Sequence, residues 1–501
     1  MSREAKALIT LFLLANLVAL SAVSSQSFWI DEANSAVKAI APSLGDFIGK
    51  MSLERGSDLQ MPGYMILLWV WEKVFGPSEF ALRALNIPLF IGSIATVCIG
   101  LGITVRQKAL FVLFACSSAF LWAYLDEARP YILQFLGATM TMAGLYNITI
   151  TQKGNLNISH LITVLVGLII LLASSLSTIF YVALLGFILL ILLYRINSLQ
   201  IIYKNKKLLF VFIIACFAGA TLGLYYFWTL RLGARASGVG KTNITSIIFC
   251  IYEIGGFLGF GPGRGELRDN PLTALRSYVV IIALYGAIIG MLIFTMVMLS
   301  VKNVRYISRG TWLILGAVSV ATLMIVTLGI LTQFRVLGRH IMPAFPFLLL
   351  TISLGADQII ESRSKLGMIL LAAFFSSAFF SCFEIRYAQR HLKDDYRDAA
   401  ALAIRTLKSG GTIWWAADRA AAEYYGISIG VPNKAGAIDP KVAVNIIGIP
   451  EIEMEAIHPP TVVILSKEDI YDPRGSLLSW IKEHHYVIAQ QFPSFKVYVA
   501  P

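Results

Sequence analysis

What most constrains this chain is that its apolar residues come in runs long enough to cross a bilayer, one after another. A helix needs about 20 consecutive apolar residues to span the hydrocarbon core. A window of roughly 19 residues finds such runs at 5–25, 84–105, 108–125, 130–150, 158–176, 178–195, 207–229, 274–300, 311–332, 339–357 and 366–383, about eleven in all. Inside the membrane each backbone N–H and C=O must be bonded within the protein, so runs of this length are read as helices. With 57% hydrophobic and only 14% charged residues in 501, the expected class is a mainly α, polytopic membrane protein. The first run has a basic start and small residues at its end, as a signal peptide would. Its apolar stretch is longer than a signal h-region, so an uncleaved first span is expected.

The net charge of +12 invites a nucleic-acid reading, but the basic residues lie in short clusters between apolar runs and form no single basic face. Arg106 with Lys108, Lys153, Arg195 with Lys204, Lys206 and Lys207, Lys302 with Arg305 and Arg309, and Arg363 with Lys365 fall in alternate loops, which assigns that side to the cytoplasm. Arg3 and Lys6 join it, placing the N-terminus inside, provided that segment 61–76 does not cross. That segment is apolar and aromatic, but Lys73 follows Pro62 too closely for a span, so it is read as an interfacial or re-entrant helix. The outer side then receives loops 26–83 and 230–273 and everything after about 384. From 385 to 501 hydropathy drops, and a helix-like run, DDYRDAAALAIRTLKS, is followed by strand-like TIWWA, TVVILS, YVIAQQ and FKVYVA. Residues 1–384 are thus expected as a transmembrane module and 385–501 as a small extracytoplasmic α/β domain.

Chemistry is sought on the outer side. Asp31 and Glu32 follow the first span directly, behind Phe28 and Trp29. Acids at that depth are functional candidates, although a helix start also favours acids in its first turn. Asp126, Glu127, Arg129 and Tyr131 crowd the short turn after the 108–125 run, either as a site or as an internally paired hairpin. Arg335, Arg339 and His340 sit on the outer side against the positive-inside bias, where they want an anion or serve as headgroup anchors. The charged residues of 230–273 read as mostly solvated. Its glycine-rich stretch 255–265 could approach a phosphate, but shows no nucleotide-binding spacing. None of Cys98, Cys116, Cys216 and Cys382 has a CxxC neighbour, so no metal site is expected from them. Asp126 with Glu127 could hold a divalent cation, but pairs more simply with Arg129. A carboxylate near one span end and surplus arginines near others suit transfer of a sugar from a phosphate-linked donor. The leaving phosphate needs cations, and the acceptor hydroxyl needs one base.

The stretches WIDE at 29–32, MPGYMILLWVWEKVFGPSEFALRALN at 61–86, DEARPY at 126–131, RHIMPAFP at 339–346 and KDDYRDAAA at 393–401 resemble, in this order, the C-superfamily (GT-C) membrane glycosyltransferases of family 39 and their relatives. Those relatives include protein O-mannosyltransferases and lipid A aminoarabinose transferases. The resemblance implies a GT-C-type helix bundle in the plasma (inner) membrane and an inverting transfer from a polyprenyl-phosphate sugar to a glycan, lipid or protein acceptor, with no cofactor. It implies Asp31 as base with Glu32 beside it, and Arg129, Arg339 and His340 at the donor phosphate. Gln60, Tyr64, Glu127 and Tyr131 would line the substrate pocket. Relatives carry His before the proline of the loop helix; here Gln60 and Met61 precede Pro62, which puts substrate preference in doubt. The competing class is a multi-pass transporter or lipid flippase, which would place ionisable or Pro/Gly-broken segments at mid-membrane. A glycan polymerase or ligase would place its large outer loop late.

Overall fold

The computed structural model describes all residues except 1, 55, 152–155, 197–204, 234–239, 303–308, 431–441 and 456. Lys153, Lys204 and Arg305, singled out above, lie outside the described residues, as does Arg235 of the 230–273 loop.

Each apolar run folds as helix, and the helix starts follow local chemistry. Ser2 accepts the N–H of Ala5 to open Arg3–Ala22, and Thr104 forms a capping box with Gln107 to open Val105–Cys116. Among the described residues, eight helices are long and apolar enough to cross a membrane, or nine if the bent pair Val105–Cys116 and Ala119–Leu125, which turns by 62°, is one span. The other two of the eleven expected runs form helices Tyr131–Ile150 and Ile158–Ser174. The first carries buried Gln134, Thr139, Thr141 and Asn147 along its length, and the second is only 17 residues long. Those two helices pack with almost no side chain between them. A Cβ on Gly167 would come 2.5 Å from Thr141 Oγ1, and one on Gly144 2.5 Å from Val164 Cγ2. Small residues that let backbones approach are how helices associate where lipid removes the hydrophobic drive. The protein is therefore a multi-pass membrane protein.

Arg106 on Val105–Cys116 meets Asp357 and Glu361 of helix Phe345–Glu361, which brings two of the basic clusters to one end of the bundle. The other end carries the first-loop helices Ile30–Ala39, Leu44–Glu54 and Pro62–Phe75. Pro62–Phe75 has 14 residues, starts on its proline and stops at Gly76, whose φ of +86° a side chain would strain.

After the last long helix, Lys365–Tyr387, the chain forms helix Tyr396–Lys408 and a six-stranded sheet. Its strands are β1 (413–416), β2 (429–430), β3 (443–445), β4 (462–466), β5 (487–492) and β6 (495–499), in the order β2-β3-β1-β4-β6-β5. The β2-β3-β1-β4 half is parallel and the β4-β6-β5 half antiparallel. The four strand-like runs of the sequence are β1, β4, β5 and β6. The α/β unit shares a core with the first loop, where Phe28, Ala33, Ala36 and Met65 pack in one cluster with Tyr396, Trp415 and Ala421.

Candidate active site

Ile30–Ala39 begins eight residues after the first long helix ends, with Trp29 at its cap and both acids in its first turn. Successive residues on a helix point about 100° apart. Glu32 therefore turns into the protein, fully buried, while the Asp31 side chain keeps 30% exposure.

Glu32 is held on every side. Arg83 grips it in a fork, Nε to Oε1 and Nη2 to Oε2, both 2.8 Å. The Ala128 N–H donates to Oε1 at 2.9 Å and Lys393 Nζ to Oε2 at 3.0 Å. Burial alone would raise its pKa, but the Arg83 and Lys393 cations hold it at about 2. Arg83 also donates to the carbonyls of Ser24, Gln26 and Ser27, and Lys393 reaches Asp126 Oδ2 at 3.3 Å. Glu32 thus fixes the start of the helix and the 126–130 turn in place, and touches Asp31 only through that helix.

Asp31 faces Arg339, whose Nη1 lies 3.0 Å from Oδ2; Oδ1 makes no hydrogen bond among the described residues. The Arg339 guanidinium sits 5.9 Å from the Trp29 ring centre and 6.0 Å from that of Tyr131, and its Nε is buried without a partner. Arg129 comes to the same place from the other side. Its Nη1 donates to the Asp31 carbonyl (3.2 Å), Ser35 Oγ (2.7 Å) and Asp58 Oδ1 (2.8 Å), and its Nε has no partner. Asp58 is also bonded by Lys38 at 2.7 Å. Burial would raise the Asp58 pKa, yet Lys38 and Arg129 bring it below the usual carboxylate value. Two cations on one carboxylate leave a net positive charge next to Asp31.

Of the other expected pocket residues, Tyr64 is buried with its hydroxyl unpartnered. Gln60 ends the turn Ser57–Gln60 that carries Asp58. His340 accepts the Leu337 N–H on Nδ1 at 3.0 Å and packs edge-on to Phe334, leaving Nε2 for any ligand. Glu127 is buried, with Oε1 on Arg264 at 3.2 Å and Oε2 unpartnered. Burial raises its pKa, against the pull of Arg264 and Lys393.

Several partners escaped the sequence reading: Arg83, Lys38, Asp58, Lys393 and Arg264. Arg264 is solvated as expected, its side chain 61% exposed, yet its guanidinium also lies 5.1 Å from the Trp29 ring centre and bonds Glu127. The glycines before it explain why. A Cβ on Gly259 would fall 2.0 Å from the Ser381 carbonyl oxygen, and one on Gly263 1.7 Å from that of Arg390. Arg390 in turn donates to the carbonyls of Gly259 (2.8 Å) and Gly261 (3.2 Å). These glycines let the loop lie flat on Lys365–Tyr387 and the segment after it, and they deliver Arg264 to Trp29. Among the described residues no three His, Cys, Asp or Glu side chains gather as a metal site would require.

No family model matches the sequence, and no curated protein matches it. Solved structures do match in shape. ArnT from Cupriavidus metallidurans in the apo state has a TM-score of 0.54 at 10% identity, covering 99% of this chain and 98% of that one. The same protein bound to undecaprenyl phosphate gives 0.56 at 10%, covering 98% and 97%. The mycobacterial arabinofuranosyltransferase AftD gives 0.40 at 12%, and this chain spans 42% of its length. A likeness at this identity is one of architecture alone, and it runs from end to end: this chain shares the fold of the ArnT chain.

Proposed function

We propose that the protein transfers a sugar, hexose or pentose, from a polyprenyl-phosphate donor to an acceptor at the end of the bundle that carries the α/β unit. That end would be the outer face of the plasma membrane, with the N-terminus in the cytoplasm and the first-loop helices along the interface. The observation that carries this reading is the part-exposed Asp31 carboxylate paired with Arg339 beside the positively charged Arg129–Asp58–Lys38 group. The full-length likeness in fold to ArnT, which binds undecaprenyl phosphate, supports it.

The chemistry follows from the charges. A phosphate leaving group departs as an anion, so cations stabilise it without a proton donor. Arg339, already beside Asp31, can move onto it, being 21% exposed and holding a single carboxylate oxygen. Its shift from Asp31 to the donor phosphate would free Asp31 to take the proton of the acceptor hydroxyl as that oxygen attacks the anomeric carbon with inversion. Arg129, tied to Asp58, adds field from a fixed position. Arg264, the residue the sequence reading set aside, stands ready as a second mobile cation. Glu32 keeps helix 30–39, and Asp31 with it, in register. No cofactor enters this scheme.

The test is release of free polyprenyl phosphate by the purified protein from a panel of polyprenyl-phosphate sugars, given a crude envelope acceptor fraction, beside Asp31→Asn. Release with one donor, lost in the variant, supports the transferase and names the sugar. Release from none, or equal release from the variant, removes it.

A further inference from the structure

Glu253 is a buried acid, 3% exposed, near the end of helix Ile244–Ile254, and the transfer scheme leaves it unused. Taking a carboxyl group out of water is costly unless its oxygens find donors. Both do, and both donors are neutral: Oε2 accepts the Gly338 N–H at 2.7 Å, and Oε1 accepts the Tyr124 hydroxyl at 3.3 Å. Asp31 is not among its partners, so Glu253 is not placed to exchange a proton with the acceptor.

What it holds is the residue before Arg339. Gly338 opens the turn Gly338–Ala344, and the first N–H groups of such a turn have no partner inside it. An acceptor from elsewhere therefore decides where the turn starts, and Glu253 supplies it. The approach is close: a Cβ at position 338 would come 2.7 Å from Glu253 Oε2 and 3.0 Å from Phe120 Cε2. The other end of the helix grips the same segment. Thr242 donates its N–H to the Gly329 carbonyl (3.1 Å) and its hydroxyl to the Phe334 carbonyl (2.8 Å), and it accepts the Val336 N–H at 2.9 Å. Past Glu253 the chain runs through the loop that lies on Lys365–Tyr387 and arrives at Arg264. One helix thus governs both cations beside Trp29, Arg339 at 5.9 Å and Arg264 at 5.1 Å from the ring centre. It holds the first by a side-chain bond and the second through the chain itself.

We infer that Glu253 is a positioning residue for the donor phosphate: it fixes the backbone from which Arg339 swings between Asp31 and the phosphate, and sets the spacing of Arg339 from Arg264. The inference rests on the transferase reading and adds to it a residue that touches no substrate. Arg339 has to move at its side chain and stay still at its backbone, because a shift of about 1 Å in a positioned group can cost about 10²-fold.

Binding of undecaprenyl phosphate to the full-length protein in nanodiscs tests this, with Glu253→Gln and Glu253→Leu made alone and on Arg339→Lys. Glu253→Leu, which removes the acceptor, is expected to weaken binding about tenfold, and Glu253→Gln, which keeps one, to stay within about threefold of the unaltered protein. On Arg339→Lys, Glu253→Leu should add little, since the two act through one contact. Hydrogen exchange should quicken at 336–344 and 257–264 in Glu253→Leu and stay as it was at 30–39. If Glu253→Leu does not fold, Thr242→Val, which frees Val336 and Phe334, carries the same expectations with a smaller effect. Equal losses in Glu253→Gln and Glu253→Leu overturn the inference. So does a loss that simply multiplies with that of Arg339→Lys, or unchanged exchange at 336–344. Release of polyprenyl phosphate from a donor, with binding indifferent to Glu253, overturns the inference and keeps the transferase reading. The expected binding and exchange in a protein that releases nothing from any donor keep the positioning role and remove the transferase reading.

Discussion

Two neighbouring regions handle buried polarity in opposite ways. Around Glu32, both carboxylate oxygens have partners, and its two cations also bond backbone carbonyls or a second acid. Across Trp29, several buried polar atoms, among them Trp29 Nε1, Glu127 Oε2 and the Tyr252 hydroxyl, have no hydrogen-bond partner. A saturated network costs little to keep and much to break, so it serves as scaffold; an unsaturated one costs stability. Asp31 stands on the border between the two, held in place by the first.

The sharpest way to break that contrast is at the border. Asp31→Asn should lower transfer by about 10²–10⁴-fold, the usual worth of a positioned base, with no change in melting temperature. A loss of stability in place of activity would move Asp31 into the scaffold. Next, Arg83→Leu strands a buried carboxylate and should destabilise the protein by about 3–5 kcal/mol, seen as a lower melting temperature and poor recovery from detergent. An Arg83→Leu protein of normal stability would mean that the network around Glu32 is not a scaffold at all. Arg339→Lys keeps the charge but loses the fork, and should raise the donor KM about tenfold with a smaller change in kcat. An unchanged donor KM would detach Arg339 from the phosphate. The smallest effect concerns pH. Because Glu32 is held at about 2 against an ordinary 4.5, its contribution to stability is complete above about pH 4.5 and lost as pH falls toward 2. Melting temperature should therefore show no step from this group between pH 5 and 8, and a step there would mean that Arg83 and Lys393 do not hold it.

Much of this was legible in the sequence where information is local. Apolar runs long enough to span became helices, the turn 126–131 brought Glu127, Arg129 and Tyr131 together, and the four alternating runs of the tail became strands. What escaped is long-range. Glu32 looked like the companion of Asp31 because the two are adjacent in sequence, whereas its partners Arg83 and Lys393 stand 51 and 361 residues away. Arg129 was expected at a phosphate or paired with Asp126 and Glu127 of its own turn, but it bonds the distant Asp58, while Lys393 takes Asp126 and Arg264 takes Glu127. The glycines of 255–265 suggested a loop that cradles a ligand, and their cause is contact with the backbone of Ser381 and Arg390, which no local pattern encodes. The two runs 130–150 and 158–176 also fold as helices, Tyr131–Ile150 and Ile158–Ser174, the first buried among other helices along most of its length.

The place of Lys393 has a consequence for biogenesis. This residue, beyond the final long helix, inserts its ammonium between Glu32 and Asp126, which the ribosome makes far earlier. Until it arrives, those two carboxylates share Arg83 alone, and the nascent membrane bundle holds an excess of buried negative charge. The network around Glu32 thus closes only when translation has passed helix Lys365–Tyr387.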